Sequence, residues 1–88
     1  MSRYFFHVHE HSRVSDDHGI ELPDEEAAKR HGVMMLGQIL RDEPQTFWVS
    51  GRIQVTATTY DGLVLFTLEV TSDRPEAASP RRRRARVR

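Results

Sequence analysis

Cysteine is absent from this chain of 88 residues. Its absence excludes disulfide bonds, thiolate-ligated zinc and a cysteine nucleophile, and it suits a reducing compartment. Long apolar runs are also missing, since no stretch approaches the roughly 20 residues that a membrane-spanning helix needs. Met1–Glu10 has no apolar stretch behind a basic start. We therefore expect a cytoplasmic protein with no signal peptide and no membrane interaction.

Motifs that carry catalysis are missing too. The sequence contains no Gly-x-Ser-x-Gly elbow and no glycine-rich phosphate loop after a strand. Its acidic clusters, Asp16-Asp17 and Asp24-Glu25-Glu26, are interpreted as loop and helix-start residues. General acid/base catalysis instead needs two groups held in different environments around a pocket. We expect no enzymatic activity and no cofactor.

Charge is distributed unevenly, although the formal net charge is +0. Residues 1–72 carry six basic and eleven acidic side chains, a net charge of −5, whereas residues 73–88 carry seven arginines and two acidic side chains, a net charge of +5. This division predicts one folded domain over residues 1–72 and a disordered arginine-rich tail over residues 73–88. A domain this small buries only about 60% of its unfolded surface, so self-association is one way for it to gain stability.

The clearest local signal lies in Ile53–Val70, where two β-prone runs flank Asp61-Gly62. That dipeptide predicts a hairpin with a two-residue type I′ turn, in which Tyr60 pairs with Leu63. Period-two alternation then places one nearly apolar face on the core and Leu65 on the opposite face. The predicted core-face pairs are Thr59/Val64, Ala57/Phe66, Val55/Leu68 and Ile53/Val70.

The first half of the chain predicts two strands and a helix. Residues 3–9 alternate as a half-buried strand, and residues 19–22 form a short returning strand that Pro23 stops. Asp24 is the predicted N-cap of a helix over Asp24–Arg41, and Pro44 prevents its continuation. Trp48 and Val49 either begin the third strand early or cover the end of the core. The order is ββαββ, an α+β fold with one helix on one face of a mainly antiparallel four-stranded sheet.

Four segments of the body form a recognisable pattern: Arg3-Tyr4-Phe5-Phe6-His7-Val8, Gly19-x-Glu21-Leu22-Pro23-Asp24, Ala27-Ala28 and Asp61-Gly62. With these segments the body resembles a family of short bacterial proteins classified as domain of unknown function 6894. The resemblance covers roughly residues 2–70. It implies no chemistry, because the family has no established catalytic or binding residues, and His9, His11 and the arginine tail are departures from its usual pattern.

Three histidines, His7, His9 and His11, follow one another at period two. If the strand continues that far, they share a face and could chelate a divalent ion. Side chains at i and i+2 are nearly 7 Å apart along a strand, which suits two ligands better than three. We favour solvated histidines on a half-exposed strand and predict no metal site.

Association remains as the favoured function, by homodimerisation or with a partner protein. One helix covers only one sheet face, so the predicted register leaves an apolar patch on the other face. The candidate partner-binding residues are Phe5, Tyr60, Leu63 and Leu65. The alternative is weak, non-specific nucleic-acid binding through the tail, which can neutralise phosphates but has no aromatic residues to stack on bases. Its candidate residues are Arg81, Arg82, Arg83, Arg84, Arg86 and Arg88.

Overall fold

A computed structural model describes residues 1–74 of the protein. The elements are β1 (Ser2–His9), β2 (Arg13–Val14), β3 (Ile20–Leu22), α1 (Glu25–Asp42), α2 (Pro44–Ser50), β4 (Arg52–Thr58) and β5 (Val64–Thr71). Every strand pairing within these residues is antiparallel, with strand order β2-β1-β4-β5 and β3 also paired to β1. The α+β prediction is confirmed, and the structure adds a two-residue strand and a second short helix to the predicted order.

The core lies between α1 and one face of the sheet. Alternation along β1 and β4 brings apolar side chains to this face, as the period-two pattern predicts. The register from Ile53↔Val70 to Ala57↔Phe66 is the predicted one. Buried apolar residues are Tyr4, Phe6, Ala27, Ala28, Ile53, Val55 and Ala57.

The turn between β4 and β5 differs from the prediction. The Gly62 N–H donates to the Thr59 carbonyl over 3.0 Å, and the Thr59 N–H donates to the Leu63 carbonyl over 2.9 Å. Thr59 therefore faces Leu63 across a three-residue loop of Tyr60, Asp61 and Gly62. The predicted two-residue turn, with Tyr60 facing Leu63, is wrong. Gly62 does have the predicted positive φ, at 89°, which is the left-handed position that such a loop requires.

The longer loop shifts the strand register by one residue at its end. The pairing slips between Ala57 and Thr58, so that Thr58 pairs with Val64 rather than Leu65. A slip of one residue moves each side chain to the other face of the strand. Leu65 consequently packs against the core, whereas Val64 is 58% exposed. The predictions for both residues are wrong, with the two positions exchanged.

Helix α1 begins as predicted. The Asp24 side chain accepts a hydrogen bond from the Ala27 N–H over 2.9 Å, which makes Asp24 the N-cap. Pro44 ends α1 but occupies the first turn of α2, where the missing N–H of proline costs no hydrogen bond. Trp48 and Val49 lie in α2, so an early start of the third strand is wrong.

Two glycines of α1 give a matched test of helix packing. A Cβ on Gly32 would lie 3.1 Å from Phe66 Cε1, whereas a Cβ on Gly37 would have no neighbour within 4 Å. Gly37→Ala should raise the free energy of unfolding by about 1 kcal/mol, because alanine is the better helix former. Gly32→Ala should gain less, because the contact with Phe66 offsets that preference. Urea unfolding of both variants measures the difference, and equal gains would refute the close approach of α1 to the sheet.

Candidate functional site

The sheet face opposite α1 is the candidate site, and most of it is polar. Every second set of paired residues across β1, β4 and β5 projects from this face, which we call the open face. Its middle holds Thr56 and Thr67, whose hydroxyl oxygens are 3.1 Å apart. Across β1, β4 and β5, the rows of the open face are Phe5/Thr58/Val64, His7/Thr56/Thr67 and His9/Gln54/Glu69.

Apolar side chains gather where one corner of the open face meets the β4–β5 loop. We call this the hairpin corner and define it as Phe5, Tyr60, Leu63 and Val64. Tyr60 is 85% exposed and Leu63 63% exposed, and the ring centroids of Phe5 and Tyr60 are 6.5 Å apart. Phe5 and Tyr60 belong to the predicted patch. Leu63 pairs with Thr59 rather than Tyr60, so alternation from Val64 turns it toward the other face, and its predicted placement on the open face is wrong. Val64 takes the place that the sequence prediction gave to Leu65.

His7 is the most constrained histidine of the open face. Its Nδ1 accepts a hydrogen bond from the Asp16 N–H over 3.0 Å, and its Nε2 lies 3.1 Å from Thr58 Oγ1. Since Nδ1 is an acceptor, the neutral ring carries its proton on Nε2 and donates it to Thr58. A protonated Nε2 cannot withdraw the hydroxyl proton of Thr58, so the pair does not activate a nucleophile. It satisfies the hydroxyl of Thr58, which is only 9% exposed.

Asp16 fills the break between β2 and β3, which pair with the edge of β1 that β4 does not cover. Ser2–Tyr4 pair with β3 and Val8–His9 pair with β2, and between them the Phe6 N–H donates to Asp16 Oδ2 over 3.1 Å. Asp16 Oδ1 accepts two more backbone hydrogen bonds, each of 3.0 Å, from the N–H groups of His18 and Gly19. The carboxylate therefore ties the β2–β3 loop to the middle of β1.

These contacts lower the pKa of Asp16. Partial burial alone would raise it, but the backbone hydrogen bonds from Gly19, Phe6 and His18 outweigh that effect. Sequence reasoning treated Asp16 only as a loop residue. The available signal was an aspartate three residues before a glycine, which is typical of a turn closed by its own side chain.

The structure separates the three histidines that were weighed as metal ligands. β1 ends at His9, so His11 lies beyond the strand, and both ring nitrogens of His7 have protein partners. Within residues 1–74, no three His, Asp or Glu side chains are placed to hold a metal ion.

The acidic clusters divide between the roles just described. Asp24 caps α1, with Glu25 and Glu26 in its first turn, and Asp16 holds the β2–β3 loop.

The nucleic-acid candidates Arg81, Arg82, Arg83, Arg84, Arg86 and Arg88 lie outside the described residues. In the part of the chain that the structure describes, no helix has the length and apolar character to cross a membrane.

The chain belongs to the family "Domain of unknown function (DUF6894)", whose pattern matches residues 3–71. The predicted family is thereby confirmed. The match includes the hairpin corner and Asp16. No curated protein and no solved structure matches the chain.

Replacing Asp16 tests the link between the loop and β1. Asp16→Asn should lower the free energy of unfolding near pH 7 by about 1–3 kcal/mol, because the amide NH2 cannot accept a backbone hydrogen bond. A carboxyl group whose pKa is lowered by folding contributes stability above its unfolded pKa of about 3.9, and this contribution is lost as the pH falls through the folded pKa. The difference between wild type and variant should therefore shrink in acid.

Asp17→Asn is the matched control. Asp17 is an exposed neighbour with no side-chain hydrogen bond among residues 1–74, so its replacement should change stability little at any pH. Urea unfolding of all three proteins at neutral and acid pH makes the comparison. Equal losses for the two variants, or a loss at Asp16 that is the same in acid, would contradict this role.

Proposed function

We propose that this protein functions by association, forming a symmetric homodimer through the hairpin corner. The observation that carries the proposal is the exposure of Tyr60 and Val64 beside Phe5 on the open face, with exposed Leu63 adjoining them at the end of the β4–β5 loop. Apolar side chains grouped in this way, beside a polar surface, are typical of protein contact sites.

The small size of the core favours a second copy as the partner. Within residues 1–74, only four large apolar side chains are buried, Tyr4, Phe6, Ile53 and Val55. A domain with so little buried apolar surface gains stability when a partner covers more of it. A twofold axis at the corner would bring the Phe5 and Tyr60 rings of both copies together. Twofold symmetry is the commonest arrangement of identical chains.

The edge of the sheet lies next to the same corner. β5 is the outer strand of the described sheet, and Val64 begins it. A strand at a sheet edge presents backbone N–H and C=O groups that another chain can pair with. A copy that covers the corner can therefore also protect this edge.

The proposed setting is the bacterial cytoplasm. Its support is the cysteine-free composition, which suits a reducing compartment, together with the resemblance to short bacterial proteins. An interaction protein of this kind needs no cofactor.

Leu63→Glu tests the homodimer. Leu63 is 63% exposed, so the charge should be tolerated by the fold but should oppose burial in an interface. Sedimentation equilibrium should show a dimer for the wild type and a folded monomer for the variant. Leu65→Glu is unsuitable for this purpose, because Leu65 packs against the core.

Val33→Glu is the matched control, since Val33 is 60% exposed and lies on α1. This variant should remain a dimer. A wild-type protein that is already monomeric at high micromolar concentration would overturn the proposal. Loss of the dimer in both variants would show that the hairpin corner is not its interface.

Non-specific nucleic-acid binding is a second candidate, favoured by the six arginines among residues 81–88. Six phosphate contacts on duplex DNA would make the slope of log K against log salt at most about −5. Gel retardation at low ionic strength should detect this binding in the full chain. Removal of residues 75–88 should abolish it. No retardation of the full chain, or unchanged binding after truncation, would exclude this function.

A further inference from the structure

A groove separates the C-terminal half of α1 from the β1–β2 hairpin. Its volume is about 320 Å³, and its apolar floor includes Val8, Val14 and Ile39. Its rim carries three acidic residues, Glu10, Asp42 and Glu43. Within residues 1–74, no lysine or arginine lines it. The groove thus combines an apolar floor with a negative rim.

This combination suits arginine side chains. An arginine can lay its alkyl stem on apolar surface while its guanidinium donates hydrogen bonds to carboxylates. The partial negative charge at the C-terminal end of α1 acts in the same direction as the rim. Asp42 has an ion pair with Arg41 at 3.3 Å, but both side chains are largely exposed, so this contact is weak and can be exchanged.

The described chain leaves β5 at the end of the sheet where the groove lies. Thr71 of β5 pairs with Arg52 at the start of β4, and His9 at the end of β1 pairs with nearby Gln54. Glu10 follows directly, two strand spacings from β5, which is about 10 Å. The six residues 75–80 can span roughly 20 Å when extended, so the arginines can reach the groove from their own body.

We propose that residues 81–88 dock in this groove of their own chain. The chain carries both partners, a body with a net charge of −5 and a tail with a net charge of +5. A short tether also holds the tail near the groove at a millimolar effective concentration, and a separate molecule must compete against that concentration to occupy the groove. Docking shields the arginines from other polyanions, so the groove lowers the availability of the tail for nucleic acid. The inference is independent of the homodimer, because the groove lies on the α1 side of the sheet.

A spin label in the tail tests the proposal directly, because the chain contains no cysteine to interfere. Val87→Cys in the full chain gives a single attachment site for a nitroxide. Amide signals of Glu10, Ile39, Asp42 and Glu43 should broaden more than those of the other described residues. Raising the ionic strength from about 0.1 M to about 1 M shortens the screening length from roughly 10 Å to 3 Å and should reduce the broadening.

Two double variants of the labelled chain separate the groove from general acidity. Glu10→Gln with Glu43→Gln removes two rim charges and should abolish the selective broadening. Glu25→Gln with Glu26→Gln removes the same charge at the opposite end of α1 and should leave it in place. Circular dichroism confirms that both variants remain folded.

Three results would overturn the proposal. The first is broadening that is uniform, or that is lost equally in both double variants. The second is broadening that appears only when spin-labelled protein is mixed with unlabelled, isotope-enriched protein, since the tail would then occupy a second copy. The third is the absence of selective broadening at the groove under every condition, with spectral changes of the tail only when an oligonucleotide is added.

Discussion

The register shift in the β4–β5 hairpin decides which side chains this protein presents to its surroundings. A loop one residue longer than the expected turn adds a bulge on β5 at Leu65, and the bulge exchanges the faces of Val64 and Leu65. Leu65 then completes the core beneath α1, and Val64 joins the hairpin corner. With the shorter turn, Val64 would have been buried and the corner would have contained a different set of residues.

A second constraint fixes the other edge of β1. The Asp16 carboxylate accepts backbone hydrogen bonds in the gap between β2 and β3 along this edge. The Asp16 N–H donates to Nδ1 of His7 and so orients its ring. Gly19 must lie close to β1 for this arrangement, since a Cβ there would be 2.9 Å from the Tyr4 carbonyl oxygen. The polar groups of the open face around His7 and Thr58 are therefore paired with one another, and the exposed apolar side chains lie at the neighbouring corner.

Much of this fold could be predicted because its signals are local. The Asp24 cap, the β1 alternation and the pairing from Ile53 to Ala57 follow from spacing and residue type alone. The turn could not be assigned, because Asp61-Gly62 fits both a two-residue loop and a three-residue loop with glycine in the left-handed position. Tertiary contacts decide between them: the three-residue loop lets Leu65 face the core while Gly62 retains its positive φ.

The candidate site was predictable to the same extent. Alternation indicates Phe5 and Tyr60, while the positions of Leu63, Val64 and Asp16 depend on a bulge and on loops that period-two patterns do not encode. The most direct test of association through the hairpin corner is a series of amide spectra at increasing protein concentration. We predict chemical-shift changes confined to Phe5, Tyr60, Leu63, Val64 and their immediate neighbours. Spectra that do not change with concentration, or changes centred on α1, would contradict the account.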